Sequence, residues 1–128
     1  MASVPETLLG RCQRSRPTGA ALARVECTPG SGADAVSYQL FDAQDTMAAA
    51  YRSRLDDVPA ADLEGPGCGR GPGGERLKNG RKACFRDGGA ATVLWTNDLV
   101  YVLASARRSD QDWAALDAFW QEAGPVTP

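Results

Sequence analysis

The glycine-rich segment at residues 65–89, GPGCGRGPGGERLKNGRKACFRDGG, contains residue types that could bind a phosphate group. Residues 69–74 match the G-x-G-x-x-G pattern of dinucleotide-binding loops, and basic residues follow. That pattern requires a hydrophobic strand before it and a helix at its last glycine, because the pyrophosphate rests on the helix N-terminus. The preceding DVPAADLEGPG is not typical of a strand, and the following ERLKNGRKAC leads into one. The segment therefore predicts no nucleotide site and no cofactor.

The basic residues of the same segment are the candidate binding residues of the chain. Six basic residues and one acid lie between Arg70 and Arg86, whereas seven acids lie between Asp34 and Glu64. Two solvated faces of opposite charge would explain this distribution. The alternative is a basic loop that docks on an anionic partner, such as a cell-envelope polymer, a lipid headgroup or an acidic protein. The candidate anion-binding residues are Arg70, Arg76, Lys78, Arg81 and Lys82.

Catalytic chemistry has few candidates in this chain. Histidine is absent, so the commonest general base and the commonest metal ligand are missing. The acids Asp56, Asp57, Asp62 and Glu64 could form a carboxylate site for metal or glycoside chemistry, but the end of a helix entering a polar loop explains them as well. We expect no catalytic, metal-binding or cofactor-binding residue.

The four cysteines, Cys12, Cys27, Cys68 and Cys84, favour disulfides. No C-x-x-C pair is present, and zinc sites usually take two ligands from one tight turn. Three pairings are possible, and proximity in sequence favours Cys12–Cys27 with Cys68–Cys84. Each bond would close a loop of about 15 residues and add ~3 kcal/mol of stability. Persistent disulfides predict an extracytoplasmic location.

Length and composition predict one soluble domain over residues 1–128, with residues 1–7 and 125–128 flexible. The chain is 43% hydrophobic and 23% charged, and its net charge of −2 does not favour nucleic acid as a partner. No apolar run approaches the ~18 residues of a membrane span. Because MASVPETLLG lacks the features of a signal peptide, an export or membrane segment is expected to lie outside this chain.

Hydrophobic periodicity predicts alternating strands and helices. Asn97 and Asp98 form the expected turn of a hairpin whose two faces are both apolar, so the hairpin should lie in the middle of a sheet. Asp42 and Ser109 are the expected N-caps of two helices. The predicted strands cover residues 21–27, 35–41, 80–86 and both arms of the hairpin at 90–106. The predicted helices cover 42–57 and 109–124, and a loop covers 59–76. Helical spacing places Met47, Tyr51 and Leu55 on the buried face of the first helix. The buried face of the second helix is expected to contain Trp113, Leu116, Phe119 and Trp120.

Spacings repeat between the two halves of the chain. Cys27 lies nine residues before Val36, and Cys84 lies nine residues before Val93. Each half then ends in a helix, and the second half has one extra strand. The sequence therefore predicts an α+β fold with two ββα-like units that share one mainly antiparallel sheet, with helices packed on it and two disulfides.

The segments VECTP, VSYQLF followed by AAAY, ACFRD and VLWTND, together with the closing Trp-rich helix, carry a family resemblance from Leu8 to Gly124. They resemble the extracytoplasmic C-terminal sensor-type domains of membrane serine/threonine protein kinases, and related surface proteins, of high-GC Gram-positive bacteria. The resemblance implies a sensor or ligand-binding module without kinase activity. It supplies no catalytic residue.

The leading hypothesis is a non-enzymatic extracytoplasmic sensor or ligand-binding domain that does not itself span a membrane. Its ligand is unknown, with an anionic cell-envelope polymer or a protein as candidates. One alternative is a small carboxylate-dependent hydrolase, which would need two close carboxylates in a concave pocket. The other is a secreted protein-interaction or inhibitory module, which a broad exposed apolar patch would favour.

Overall fold

A computed structural model describes residues 12–17, 19, 21–28, 33–56, 58, 73–77, 80–87, 89–110 and 112–123, with the backbone alone at 74–77, 122 and 123. In this part of the chain two helices accompany one sheet. The strands are β1 Cys12–Ser15, β2 Ala23–Cys27, β3 Ala35–Leu40, β4 Gly73–Leu77, β5 Gly80–Asp87, β6 Ala90–Asn97 and β7 Val102–Arg108. The helices are α1 Gln44–Leu55 and α2 Trp113–Ala123. None of the helices in the described ranges is long and apolar enough to cross a bilayer.

The sheet has seven strands in the described residues, in the order β1-β2-β3-β7-β6-β5-β4. Every neighbouring pair is antiparallel. The N-terminal strands β1 to β3 form one meander, the C-terminal strands β4 to β7 form another, and β3 and β7 join them. The predicted α+β class with an antiparallel sheet and packed helices is confirmed.

The two helices cover opposite faces of the sheet. Leu116 and Trp120 of α2 share a core cluster with Val93 and Trp95 of β6. Met47 of α1 shares a second cluster with Leu94, which lies between those two residues on the same strand. Successive side chains of a strand point to opposite faces, so β6 is buried on both sides.

The β6–β7 hairpin lies in the middle of the sheet, as its two apolar faces predict. Its turn is longer than expected. Asn97 pairs with Val102, so residues 98–101 form the connection instead of Asn97 and Asp98 alone. The Asn97 side-chain oxygen accepts a hydrogen bond from the Leu99 backbone N–H, and Tyr101 has φ of 55°. Local side-chain bonding of this kind stabilises a turn that the two-residue rule does not anticipate.

The helix caps differ from the prediction. Ala43 is the N-cap of α1 and makes no side-chain cap hydrogen bond, while Asp42 accepts a hydrogen bond from the Thr46 hydroxyl. In α2 the Asp112 carboxylate accepts the Ala115 backbone N–H at 3.0 Å, which is the N-cap role expected of Ser109. The buried faces are as expected, because Met47 and Tyr51 of α1 lie in the core.

Two strands were not predicted, and both lie at the edges of the sheet. β1 covers part of a segment without clear alternation, and β4 begins at Gly73 inside the predicted loop. The two central residues of β1 are exposed on both faces. An edge strand with little buried surface carries a weak period-two pattern, which explains why β1 was missed.

One of the two predicted disulfides is present among the described residues. Cys12 and Cys27 lie directly opposite each other on β1 and β2, and their sulfur atoms are bonded. Cys84 is buried on β5. Its predicted partner Cys68 lies outside the described residues, so that pairing stays a prediction.

The repeated nine-residue spacing corresponds to a repeated strand pairing. Cys27 lies opposite Val36 on β2 and β3, and Cys84 lies opposite Val93 on β5 and β6. All four side chains belong to the core cluster under α2. The two units nevertheless differ, because β7 adds a strand to the second and their helices pack on opposite faces.

Candidate functional site

A groove lies between α1 and the sheet, on the face that α1 only partly covers. Its volume is about 440 Å³, within the range of ~300–1,000 Å³ that is usual for small-molecule sites. The floor is formed by strands β3, β7 and β6, and α1 forms one wall. The lining residues are Gly19, Ser37, Gln39, Phe41, Ala50, Ser53, Arg54, Leu94, Leu103, Ala104 and Ser105.

The position of α1 explains why the groove is open. Met47 and Tyr51 pack over the apolar part of this face, which includes Phe85, Leu94 and Leu103. Burial raises the pKa of the Tyr51 hydroxyl to about 12, and the charge of Arg81 opposes that rise. The neighbouring part of the face, on β2 and β3, carries polar side chains, and α1 packs mainly against β6 and β7 instead.

The groove floor combines neutral polar groups with apolar side chains. Ser37 on β3 lies directly opposite Ser105 on β7, and Gln39 lies opposite Leu103. These pairs place two hydroxyl groups and one amide beside a leucine on adjoining strands. Among the described lining residues there is no aspartate and no glutamate.

Ser37 contributes a buried hydroxyl to the floor of the groove. Its side-chain oxygen is shielded from solvent and has no hydrogen-bond partner in the described part of the chain. A buried hydroxyl without a partner costs about 1–3 kcal/mol. Arg24 Nε, Tyr38 Oη and Trp120 Nε1 are also shielded and without a partner in the described residues, and a shielded atom cannot contact a molecule in the groove without a local rearrangement.

Arg54 is the positive charge of the groove wall, and the protein fixes its position. Its Nη2 lies 2.5 Å from Asp87 Oδ2, and its guanidinium carbon lies 5.2 Å from the centre of the Phe85 ring. The Asp87 carboxylate balances this charge. The groove therefore presents hydroxyl and amide groups rather than a net charge to a bound molecule.

The structure describes the side chains of two predicted anion-binding residues, Arg81 and Lys82, and they differ in exposure. Lys82 is 3% exposed, and its Nζ lies 2.7 Å from Asp117 Oδ1 and 3.4 Å from the centre of the Trp120 ring. Arg81, its neighbour, is exposed, and its charge acts on Tyr51 on the opposite face. Lys82 therefore does not belong to an exposed basic patch. Arg76 lies in β4 with only its backbone described, and Arg70 and Lys78 lie outside the described residues.

The described residues include part of the glycine-rich pattern and part of the acidic cluster. Gly73 and Gly74, the last two residues of the G-x-G-x-x-G pattern, belong to strand β4 and not to a helix start. Of the four clustered acids, Asp56 is exposed beyond α1, and Asp57, Asp62 and Glu64 lie outside the described residues. No group of three potential metal ligands occurs among the residues that the structure describes.

Sequence reasoning did not identify the groove residues Ser37, Gln39, Ser53 and Ser105. Serine and glutamine form no recognisable motif, and they come from three separate elements. The available signal was the alternation in AVSYQL, where Ser37 and Gln39 occupy the face opposite Val36 and Tyr38. An uncovered polar face on a central strand can be read from such a pattern only when the neighbouring strands are known.

No protein-family model, curated protein or solved structure matches this chain. The resemblance to kinase-associated sensor domains thus stays a prediction, and the site is defined by its own geometry.

Proposed function

We propose that this protein is a non-enzymatic, extracytoplasmic ligand-binding domain that binds a small uncharged ligand in the groove beside α1. The observation that carries this proposal is a groove of ligand size whose floor places Ser37 opposite Ser105 and Gln39 opposite Leu103. A ligand hydroxyl or amide could pair with the Gln39 amide and the Ser105 hydroxyl, while Phe41 and Leu103 contact the apolar part of the ligand.

Two further features support the proposed location and class. The Cys12–Cys27 disulfide suits an oxidising compartment. The resemblance to sensor domains of membrane serine/threonine kinases and related surface proteins suggests that the domain reports ligand binding to another part of a larger protein. The hydrolase alternative has no support from the described groove lining, which has no carboxylate.

Binding in the groove is tested by NMR titration of the labelled protein with uncharged probes, namely glucose, N-acetylglucosamine and glycerol. Inorganic phosphate serves as the anionic comparison. We expect saturable shifts of the Ser37, Gln39 and Ser105 amides with at least one uncharged probe and none with phosphate. If none of the uncharged probes shifts these amides, the proposal fails.

A pair of tryptophan variants gives the matched control. Ser53→Trp places a large ring in the groove wall and should abolish the shifts. Arg52→Trp introduces the same ring at the neighbouring exposed position, which does not line the groove, and should leave them intact. Equal behaviour of the two variants would contradict the assignment of the site.

Binding of an anionic cell-envelope polymer by the basic segment is a separate proposal. It rests on Arg70, Arg76, Lys78 and Arg81, because Lys82 is engaged inside the protein. Exposed charges are screened within about 10 Å at 0.1 M ionic strength, so such binding should weaken steeply with salt. Calorimetric titration with an anionic polymer at low and moderate salt tests it.

A further inference from the structure

Every large apolar side chain that is exposed in the described residues lies at one end of the sheet. Leu22 is 60% exposed, Leu99 50%, Val100 37% and Tyr101 38%. We call these four residues the apolar rim. Single exposed apolar residues are ordinary, but their restriction to one end of the molecule indicates a contact surface.

Backbone hydrogen bonds place Leu22 and Tyr101 beside the end of β3. The Leu22 N–H donates to the Leu40 carbonyl at 2.8 Å, and the Phe41 N–H donates to the Tyr101 carbonyl at 2.9 Å. These bonds extend the pairing of β2, β3 and β7 to the end of the sheet. Leu22 and Tyr101 therefore lie on either side of the end of β3, with Leu99 and Val100 in the hairpin connection beside them.

The backbone at Tyr101 is held in an unfavourable conformation. Its φ of 55° is the only positive value among non-glycine residues in the described ranges. The left-handed region is costly for a residue with a large side chain, and such strain occurs preferentially at functional positions. Here the strained residue and its two predecessors turn apolar side chains towards solvent, although burial would be favourable.

Charges of opposite sign flank the rim. Arg16 is exposed and follows β1 at the end of the sheet where β2 begins, while Asp98 opens the β6–β7 connection at the other side. β1 and β6 are separated by four strand spacings, or roughly 19 Å. The surface is thus basic at the β1 side and acidic at the β6 side, and the exposed Asp42 follows the end of β3 between Leu22 and Tyr101.

We propose that the apolar rim is the contact surface between two copies of this chain, related by a two-fold axis. A two-fold axis places the same patch of both copies face to face in opposite directions. Arg16 of one copy then faces Asp98 of the other, and Leu22 faces Leu99 and Val100. Asp98 and the neighbouring exposed Asp42 disfavour the alternative of an anionic lipid surface.

The rim is small, so the dimer is expected to be weak. Stable interfaces bury about 800 Å² on each partner, and weak or transient ones bury less. Sedimentation velocity of the full chain across a concentration series from low micromolar to millimolar should show a reversible monomer–dimer equilibrium. A chain that remains monomeric at millimolar concentration would overturn the proposal.

Charge reversal distinguishes this dimer from other forms of self-association. Arg16→Asp and Asp98→Arg should each raise the dissociation constant of the dimer about tenfold or more. The double variant should recover most of the lost affinity. Arg107→Asp, an exposed arginine at the opposite end of the sheet, is the matched control and should have no effect. Additive losses in the double variant would contradict the proposed pairing.

Two apolar variants complete the test. Leu99→Asp should abolish association. Tyr101→Gly should also abolish it without lowering the melting temperature, because glycine relieves the backbone strain. Self-association that is unchanged in both variants would overturn the proposal. So would binding of the monomer to vesicles of neutral or anionic phospholipid through the rim without self-association.

Discussion

Replacement of Lys82 by methionine tests how the protein holds α2 on the sheet. The ammonium group of Lys82 is almost fully buried and lies between the Asp117 carboxylate and the Trp120 ring. Methionine keeps most of the packing of the side-chain stem but removes its charge. The variant therefore isolates the polar part of this contact.

The expected loss can be worked out from the surroundings of Asp117. Removal of one partner from a fully buried ion pair costs about 3–5 kcal/mol, because the other charge is left unpaired. The Asp117 side chain is 18% exposed and also accepts a hydrogen bond from Gln121 Nε2 at 2.9 Å, so part of this cost is avoided. The lost contact with Trp120 adds to the effect, since a desolvated cation–π contact contributes about 2 kcal/mol. We expect Lys82→Met to lower the free energy of unfolding by about 3 kcal/mol.

Urea denaturation of the wild type and the variant measures this difference, and the melting temperature should fall by roughly 10 °C. The double variant Lys82→Met with Asp117→Leu should recover most of the stability, because an apolar pair can replace a buried ion pair at little cost. Arg81→Met, at the exposed neighbouring position, should change stability by less than about 0.5 kcal/mol. If Lys82→Met also stays within that margin, the ion pair does not hold α2 and our reasoning is refuted.

Three further predictions concern the core, a surface carboxylate and a close backbone approach. Trp120→Ala should cost about 3–5 kcal/mol, because Trp120 packs in the core under α2; an unchanged urea midpoint would contradict this. The hydrogen bond from the Ser109 backbone N–H lowers the pKa of Asp34 below its ordinary value of 3.8. Its stabilisation is therefore present above that value and lost as pH falls through the lowered pKa, so Asp34→Asn should reduce the melting temperature at neutral pH but not in strong acid. Gly80→Ala should destabilise the protein by about 1–3 kcal/mol, because a Cβ atom there would collide with the Thr96 carbonyl; a thermal melt that matches the wild type would show that β5 and β6 can separate locally.

The sequence was most informative where one physical effect dominates. The apolar faces of α1 and α2 were predicted correctly, because Met47, Tyr51, Leu116 and Trp120 follow helical spacing. The central position of the β6–β7 hairpin followed from its two apolar faces. Its pairing register could not be predicted, because a shift by four residues keeps every side chain on the same face and leaves the apolar pattern unchanged.

The candidate site was harder to predict than the fold. Lys82 belongs to a run of basic residues that indicates a solvated surface, and its burial depends on Asp117 and Trp120, which lie far along the chain. The groove depends on which part of the sheet α1 leaves uncovered. That choice follows from packing between distant segments, and Ser37 and Ser105 become neighbours only when β3 pairs with β7.

The seam between β3 and β7 has a consequence for the folding pathway. Most strand pairs in the described sheet join segments that are close in sequence, whereas the seam joins positions as distant as Ala35 and Arg107. The long intervening chain must lose conformational entropy before the contacts between β3 and β7 can form. The seam should therefore form late in folding. Each meander could then exist briefly without the other as a cooperative unit. Because the groove floor crosses the seam, native-state amide exchange should show the floor of the groove opening more readily than the β5–β6 pairing.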